Sequence, residues 1–163
     1  MNSTTILGVS MTLSLTGWIL IAQIWIIPAL AKIPRPRALL ALTTPHVFRF
    51  VGLSFLLHGV TAEPLDPRFA HPAAYGDLAA AILALIAVLL LWKESRFAIP
   101  SVWIFNVVGL VDLLNAVTQG IRYNDPALMG ATYFIPTLAV PALVMTHVLI
   151  FRQLLRRDAI PRP

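Results

Sequence analysis

The sequence has no cysteine and few charged residues. None of its 163 residues is cysteine and only 12% are charged, whereas soluble domains carry about 25% charged residues. The absence of cysteine excludes disulfide bonds, thiolate metal ligands and cysteine nucleophiles. Because so few polar side chains are available to face water, a soluble globular fold is not expected.

Catalytic sequence motifs are missing as well. The chain contains no HExxH, GxSxG, Walker or dinucleotide-binding motif. It also shows no internal repeat of the kind that many secondary transporters contain. The sequence therefore gives no indication of an enzyme.

Long apolar blocks make up most of the chain, which is 58% hydrophobic. Many of them have the length that a helix needs to span a bilayer core, about 17 to 25 residues. Lipid cannot satisfy an open strand edge, so each block should be a helix. We predict an all-α polytopic membrane bundle, one domain over residues 1–163, with five transmembrane helices near residues 6–31, 38–60, 73–92, 99–119 and 132–152.

The second span allows two different starts. Thr43-Thr44-Pro45 is typical of a helix start, but a helix beginning there would be only roughly 24 Å long, which is short for a bilayer. Alternatively, the preceding RALLALTTP belongs to the same helix and Pro45 kinks it. We favour the longer, kinked helix.

Lysine and arginine are distributed unevenly between the two sides of this bundle. With the N-terminus outside, the outer segments hold only Arg68 and Arg122. The inner segments hold Lys32, Arg35, Arg37, Lys93, Arg96, Arg152, Arg156, Arg157 and Arg162. Cytoplasmic loops retain positive charge, so we predict a multi-pass protein of the bacterial cytoplasmic (inner) membrane with its C-terminus inside. The basic residues flank apolar blocks instead of forming one surface, so we expect lipid and not nucleic acid as the partner.

Charged and amide residues inside the predicted spans are the candidate functional residues. Arg49 stands among apolar neighbours in the second span, and Asp112 lies at a similar depth in the fourth. A charge in lipid needs a partner inside the bundle, and Asp77, nearer the outer surface, is the second choice for that partner. Asn115 and Gln119 follow Asp112 on one helix face. We expect these five residues to form a ligand-binding site.

Three functions remain open at this point. Arginine suits carboxylate or phosphate groups, so the first expectation is a membrane protein that binds, and could translocate, a small polar or anionic molecule. The second is an accessory or assembly subunit of a larger membrane complex, or a homo-oligomer, in which the ion pair fixes the fold. The third is a redox protein with a quinone site or with a b-type haem between His46 and His147, which lie near the inner side. Otherwise no cofactor and no metal is expected.

A pattern of residues connects the second, third and fourth spans. It comprises Phe48-Arg49, Gly52, Asp66-Pro67-Arg68-Phe69-Ala70, Gly76-Asp77 and the segment Asn106 to Gly120. The pattern resembles small multi-span bacterial membrane proteins of unknown function. No activity follows from the resemblance, but it implies that Arg49, Asp77 and Asp112 belong to one constellation.

Overall fold

Five helices that are long and apolar enough to cross a membrane build the structure. The structure is a computed structural model, and it describes residues 1–156. The helices are α1 (Ser3–Leu30), α2 (Arg35–Leu56), α3 (Pro67–Trp92), α4 (Ala98–Tyr123) and α5 (Gly130–Leu155). Over the described residues the chain is 84% helical and has no strand. The prediction of an all-α chain with five long apolar helices is therefore confirmed.

The third helix begins six residues earlier than the predicted residue 73. The Asp66 carboxylate accepts a hydrogen bond from the backbone N–H of Arg68 (2.8 Å) and caps the helix. Pro67 occupies the first helical position, where a missing N–H costs nothing. The Arg68 guanidinium also donates to Asp66 and lowers the pKa of that carboxyl to about 2. Asp66 and Pro67, which the sequence analysis placed in a loop, thus form the start of α3.

The second helix continues through Pro45 without a break. It is α-helical from Arg35 to Thr43 and a 3₁₀-helix from Thr44 to Leu56. The start at Pro45 is therefore wrong, and the longer alternative is the one that the structure shows, although it runs over Arg35–Leu56 instead of 38–60. What changes at Pro45 is the type of helix. A 3₁₀ run of 13 residues is unusual, because such runs rarely exceed three or four residues.

The 3₁₀ geometry aligns one row of buried residues on α2. Residues three apart eclipse each other in a 3₁₀-helix, whereas in an α-helix they drift around the axis. The buried positions follow this period: Thr43, His46, Arg49, Gly52 and Phe55. A single straight row therefore faces the rest of the bundle.

The third helix packs between α2 and α4. Its buried face consists largely of alanine, at positions 73, 74, 80, 81, 84 and 87. Small side chains let helix backbones approach closely. Asp77 lies on this face, as the sequence predicts, and is therefore held between the two neighbouring helices.

Basic residues collect at one end of the bundle, called here the basic end. In the described part of the chain that end holds Lys32, Arg35, Arg37, Lys93, Arg96, Arg152 and Arg156, against Arg68 and Arg122 at the opposite end. Arg157 and Arg162, also assigned to the inner side, lie outside the described residues.

Two separate apolar clusters fill the interior. One, toward the basic end, includes Leu39, Phe105 and Ile150. The other, toward the opposite end, includes Phe55 and Phe69. Arg49 of α2, Asp77 of α3 and Asp112 of α4 lie in the layer between these clusters.

Candidate functional site

Arg49 is the centre of a buried ionic cluster. Its guanidinium Nε donates to Asp77 Oδ1 (2.8 Å), and its Nη2 lies 2.7 Å from the same oxygen. Nη2 also donates to Asp112 Oδ2 (2.6 Å). Nη1 donates to the backbone carbonyl oxygen of Gly109 (2.9 Å). The predicted pairing with Asp112 is confirmed, and the second-choice partner Asp77 pairs with Arg49 as well.

Burial makes this cluster unusual. Arg49 is 4% exposed and Asp77 is 8% exposed, while Asp112 is half-buried. Charges removed from water are costly unless they are paired and hydrogen-bonded. The forked arginine meets this requirement because it presents donors in several directions at once. It thereby joins three helices through one side chain.

Three glycines provide the space for the cluster. A Cβ atom at Gly52 would collide with the Asp77 carboxylate, and one at Gly76 would collide with the Asp112 carboxylate. A Cβ atom at Gly109 would lie 3.0 Å from Arg49 Nη1. Every helix that contributes a charge therefore also contributes a glycine. The sequence contained this signal, since all three glycines lie in the pattern that carries the resemblance.

Asn115 and Gln119 do not join the cluster. Asn115 is exposed, and the side-chain amide of Gln119 donates to its side-chain oxygen over 3.5 Å. Within residues 1–156 neither has a hydrogen bond to Arg49 or to the two aspartates. The structure thus places both residues outside the hydrogen bonds of Arg49, and their part in binding a ligand stays a prediction.

His46 and His147 lie beside the cluster and contact each other. Their ring centroids are 4.3 Å apart, and the ring planes are tilted by 55°. Phe105 packs against both rings. Direct contact between the rings leaves no space for an iron and its macrocycle between them, so the geometry does not fit the haem alternative.

Asn106 is a buried polar residue that the sequence analysis missed. It is fully buried (0% exposed). Its Nδ2 donates a hydrogen bond to the backbone oxygen of His147, and its Oδ1 is hydrogen-bonded to Nδ1 of the His147 ring. An asparagine in the buried part of an apolar helix was the available signal. Among the described residues, no group of three or more His, Cys, Asp or Glu side chains could hold a metal ion.

Two apolar cavities reach Asp77. One of about 130 Å³ extends toward the opposite end and is lined by α1, α4 and α5 together with Phe55 and Phe69. The other, of about 280 Å³, lies between α2 and α5 and includes Arg49 and Phe48 in its lining. Asp77, Leu113, Ile135 and Val140 line both cavities. Asp77 is thus the carboxylate that a molecule in either cavity would meet.

Comparison with known proteins adds a family and no activity. No curated protein and no solved structure matches the chain. Residues 6–155 match the family described as "Domain of unknown function (DUF8737)". That range contains all five helices almost completely, together with the whole ionic cluster. The chain therefore belongs to this family, the domain of unknown function DUF8737.

Proposed function

We propose that this chain is an integral protein of a bacterial cytoplasmic membrane, with its N-terminus outside and its C-terminus inside. Five long apolar helices support the insertion. The concentration of lysine and arginine at the basic end supports the orientation, since positive residues stay on the cytoplasmic side. In this setting the Arg49 cluster lies inside the membrane, where ionisable residues usually have a function.

The site binds a small molecule that carries positive charge. The supporting observation is that one arginine is paired with the buried Asp77 and the half-buried Asp112, so the three side chains together have a formal charge of −1. The guanidinium donates to Asp77, Asp112 and the Gly109 carbonyl and is therefore poorly placed to receive an anion. This charge balance favours a cation over the small polar or anionic molecule expected from the sequence.

The cavities define the rest of the ligand. Their linings are apolar apart from Arg49, Asp77 and Asn124, and their volumes are at or below the lower limit for small-molecule pockets, about 300 Å³. A compact organic cation with an apolar body fits this chemistry, with its charged group at Asp77. Because Asp77 lines both cavities, translocation of such a molecule from one cavity to the other past Asp77 is part of the same proposal.

Calorimetric titration of the purified protein tests this function. Benzyltrimethylammonium is a suitable probe, because it combines a small apolar ring with a permanent charge; benzoate is the anionic control. We expect the cation to bind and Asp77→Asn to weaken its binding at least about tenfold, or about 1.4 kcal/mol, since that change removes the net negative charge. Glu63→Gln, which neutralises an exposed acid, should leave binding unchanged. Binding of benzoate without binding of the cation would refute the proposal.

A second candidate function is that of an accessory or assembly subunit, or of a homo-oligomer. The observation in its favour concerns α1, which packs mainly against α5 and leaves Gly8, Thr12, Thr16 and Gln23 exposed. Small and polar residues on a membrane helix are typical of contacts with other helices. Purification in a mild detergent distinguishes the candidates, because an accessory subunit should copurify with stoichiometric partners.

A further inference from the structure

A groove opens between the ends of α1 and α5 at the basic end of the bundle. Its volume is about 570 Å³, which is larger than that of either cavity at Asp77. The residues that line it from α1 are Ile27, Leu30 and Ala31. These positions are three and four residues apart and therefore occupy one face of the helix. The α1 side of the groove is thus apolar.

The α5 side of the groove combines apolar and basic residues. One face of this helix supplies Leu149, Arg152, Gln153 and Arg156 to the lining. Arg152 and Arg156 are exposed, and within residues 1–156 neither guanidinium has a hydrogen-bond or ion-pair partner. Among the described residues no acid lines the groove. Two positive charges are therefore available to an anion there.

Gln153 is the buried polar residue of the groove. It is 8% exposed, and in the part of the chain that the structure describes its side-chain oxygen Oε1 has no hydrogen-bond partner. Buried acceptors without partners are rare in folded proteins and need an explanation. An amide oxygen accepts hydrogen bonds, so the group that suits it is a hydroxyl or an N–H. A ligand of this groove should therefore carry such a donor beside an anionic group.

The groove lies at the level of the lipid head groups. The 28 residues of α1 extend to about 42 Å, whereas the hydrocarbon core of a bilayer is about 30 Å thick. Both α1 and α5 end at the basic end, so their last turns lie in the polar layer. Ile27 and Leu149 stand one turn deeper than the two arginines. Apolar groups below and positive groups above match the way in which a phospholipid is oriented in the membrane.

We infer that this groove binds one anionic phospholipid whose head group carries a hydroxyl, as phosphatidylglycerol does. Arg152 and Arg156 bind the phosphate, and Gln153 Oε1 accepts a hydrogen bond from the head-group hydroxyl. An acyl chain lies against Ile27 and Leu149. Basic pockets between membrane helices on the cytoplasmic side bind anionic head groups. Lipid binding here rests on the proposed membrane insertion, and it does not depend on the proposed cation site.

Native mass spectrometry of the protein in a mild detergent, titrated with phosphatidylglycerol, counts the bound lipids and gives their affinities. We expect one lipid to bind more tightly than any further one. Arg152→Gln/Arg156→Gln should weaken this first binding at least about tenfold, since each arginine near a head group contributes about 1 kcal/mol. Arg37→Gln/Lys93→Gln is the matched control. It removes the same charge from exposed positions of the basic end outside the groove, so it should leave the first binding unchanged.

Two further ligands identify what the groove recognises. Phosphatidylcholine has acyl chains but no net charge and no hydroxyl, so it should bind more weakly than phosphatidylglycerol. Glycerol 1-phosphate has the head group without acyl chains, so an equal concentration of it should not displace the lipid. Lipid binding is overturned if the arginine variant behaves like its control, if phosphatidylcholine binds equally well, or if glycerol phosphate displaces the lipid. A dimer that dissociates in the arginine variant would overturn it too, because a second copy would then occupy the groove.

Gln153→Leu tests the contact with the hydroxyl. Phosphatidylmethanol has the same charge as phosphatidylglycerol and lacks its hydroxyl groups, so the unmodified protein should prefer phosphatidylglycerol and the variant should bind both lipids equally. Equal binding by the unmodified protein would refute this contact. Benzyltrimethylammonium should bind to the arginine variant as before, so failure of the lipid site and failure of the cation site are separate results.

Discussion

At the scale of single residues, the stability of the buried charges depends on Arg49. Its side chain bonds to two carboxylates and a backbone carbonyl from two other helices. Loss of one partner from a buried ion pair is strongly destabilising, because it leaves a charge without compensation. The glycines around the cluster matter for the same reason, since they let the carboxylates come close enough to the guanidinium.

Gly76→Ala should destabilise the protein by about 1 to 3 kcal/mol, the usual cost of an added methyl group in a packed interior. The new Cβ atom would overlap the Asp112 carboxylate and push it away from Arg49. Thermal unfolding in detergent measures the change. Gly17→Ala is the matched control, because no atom other than those of its chain neighbours and of the adjacent backbone of its own helix lies within 4 Å of its Cβ position. There, alanine should stabilise the helix slightly, and an equal loss in both variants would contradict this account.

At the scale of secondary structure elements, α3 and α2 perform different tasks. The alanine face of α3 brings the backbones of its neighbours close, so that short aspartate side chains reach an arginine on another helix. The 3₁₀ segment of α2 keeps His46, Arg49 and Gly52 in one row toward these aspartates. Thus α3 sets the distance between the helix backbones, and α2 sets the direction in which the Arg49 side chain points.

Ala80→Leu should destabilise the bundle, again by about 1 to 3 kcal/mol. Ala80 is completely buried on the packed face of α3, whereas the preceding Ala79 is exposed. Ala79→Leu therefore introduces the same side chain one residue away and should be nearly neutral. Unfolding by increasing denaturant in detergent compares the two variants. If Ala79→Leu is the more damaging change, α3 faces its neighbours differently from the structure.

At this scale the sequence determines some features of the bundle and leaves others open. Depth along apolar helices was sufficient to pair Arg49 with Asp112, because a buried charge has few possible partners. The row on α2 was not predictable, since nothing in Thr44–Leu56 distinguishes a 3₁₀-helix from an α-helix. That Asn115 makes no hydrogen bond to Arg49 was not predictable either, since a shared helix face does not show how far along that face the neighbouring helices remain in contact.

At the scale of the whole molecule, contacts between distant parts of the chain hold the two ends of the bundle. Ser3 donates to the Asp125 carboxylate (3.0 Å) at the opposite end, and Arg35 donates to the Leu154 carbonyl (2.8 Å) at the basic end. Both contacts connect the start of the chain with its last third. The loops alternate between the two ends because the five long helices follow one another along the chain, and most of the described basic residues lie in the segments of one end.

The proposed orientation can be tested by labelling, because the chain has no cysteine of its own. Glu63→Cys places a thiol in the loop before α3, and Glu94→Cys places one in the loop after it; both positions are exposed. In intact bacterial cells a membrane-impermeant maleimide should label the first variant only. Permeabilised cells should show labelling of both, which controls for accessibility. Labelling of Glu94→Cys alone in intact cells would mean that the chain is inserted the other way round.

The tight winding of α2 also determines how far this helix reaches. A 3₁₀-helix rises about 2.0 Å per residue and an α-helix about 1.5 Å, so the 22 residues of α2 extend to about 40 Å. The 26 residues of α3 extend to about 39 Å. The helix with the fewest residues thus has nearly the same length in Å as its neighbour α3. If its 13 residues of 3₁₀-helix relaxed to α-helix, α2 would shorten by about 6 to 7 Å and no longer span the thickness that its neighbours span.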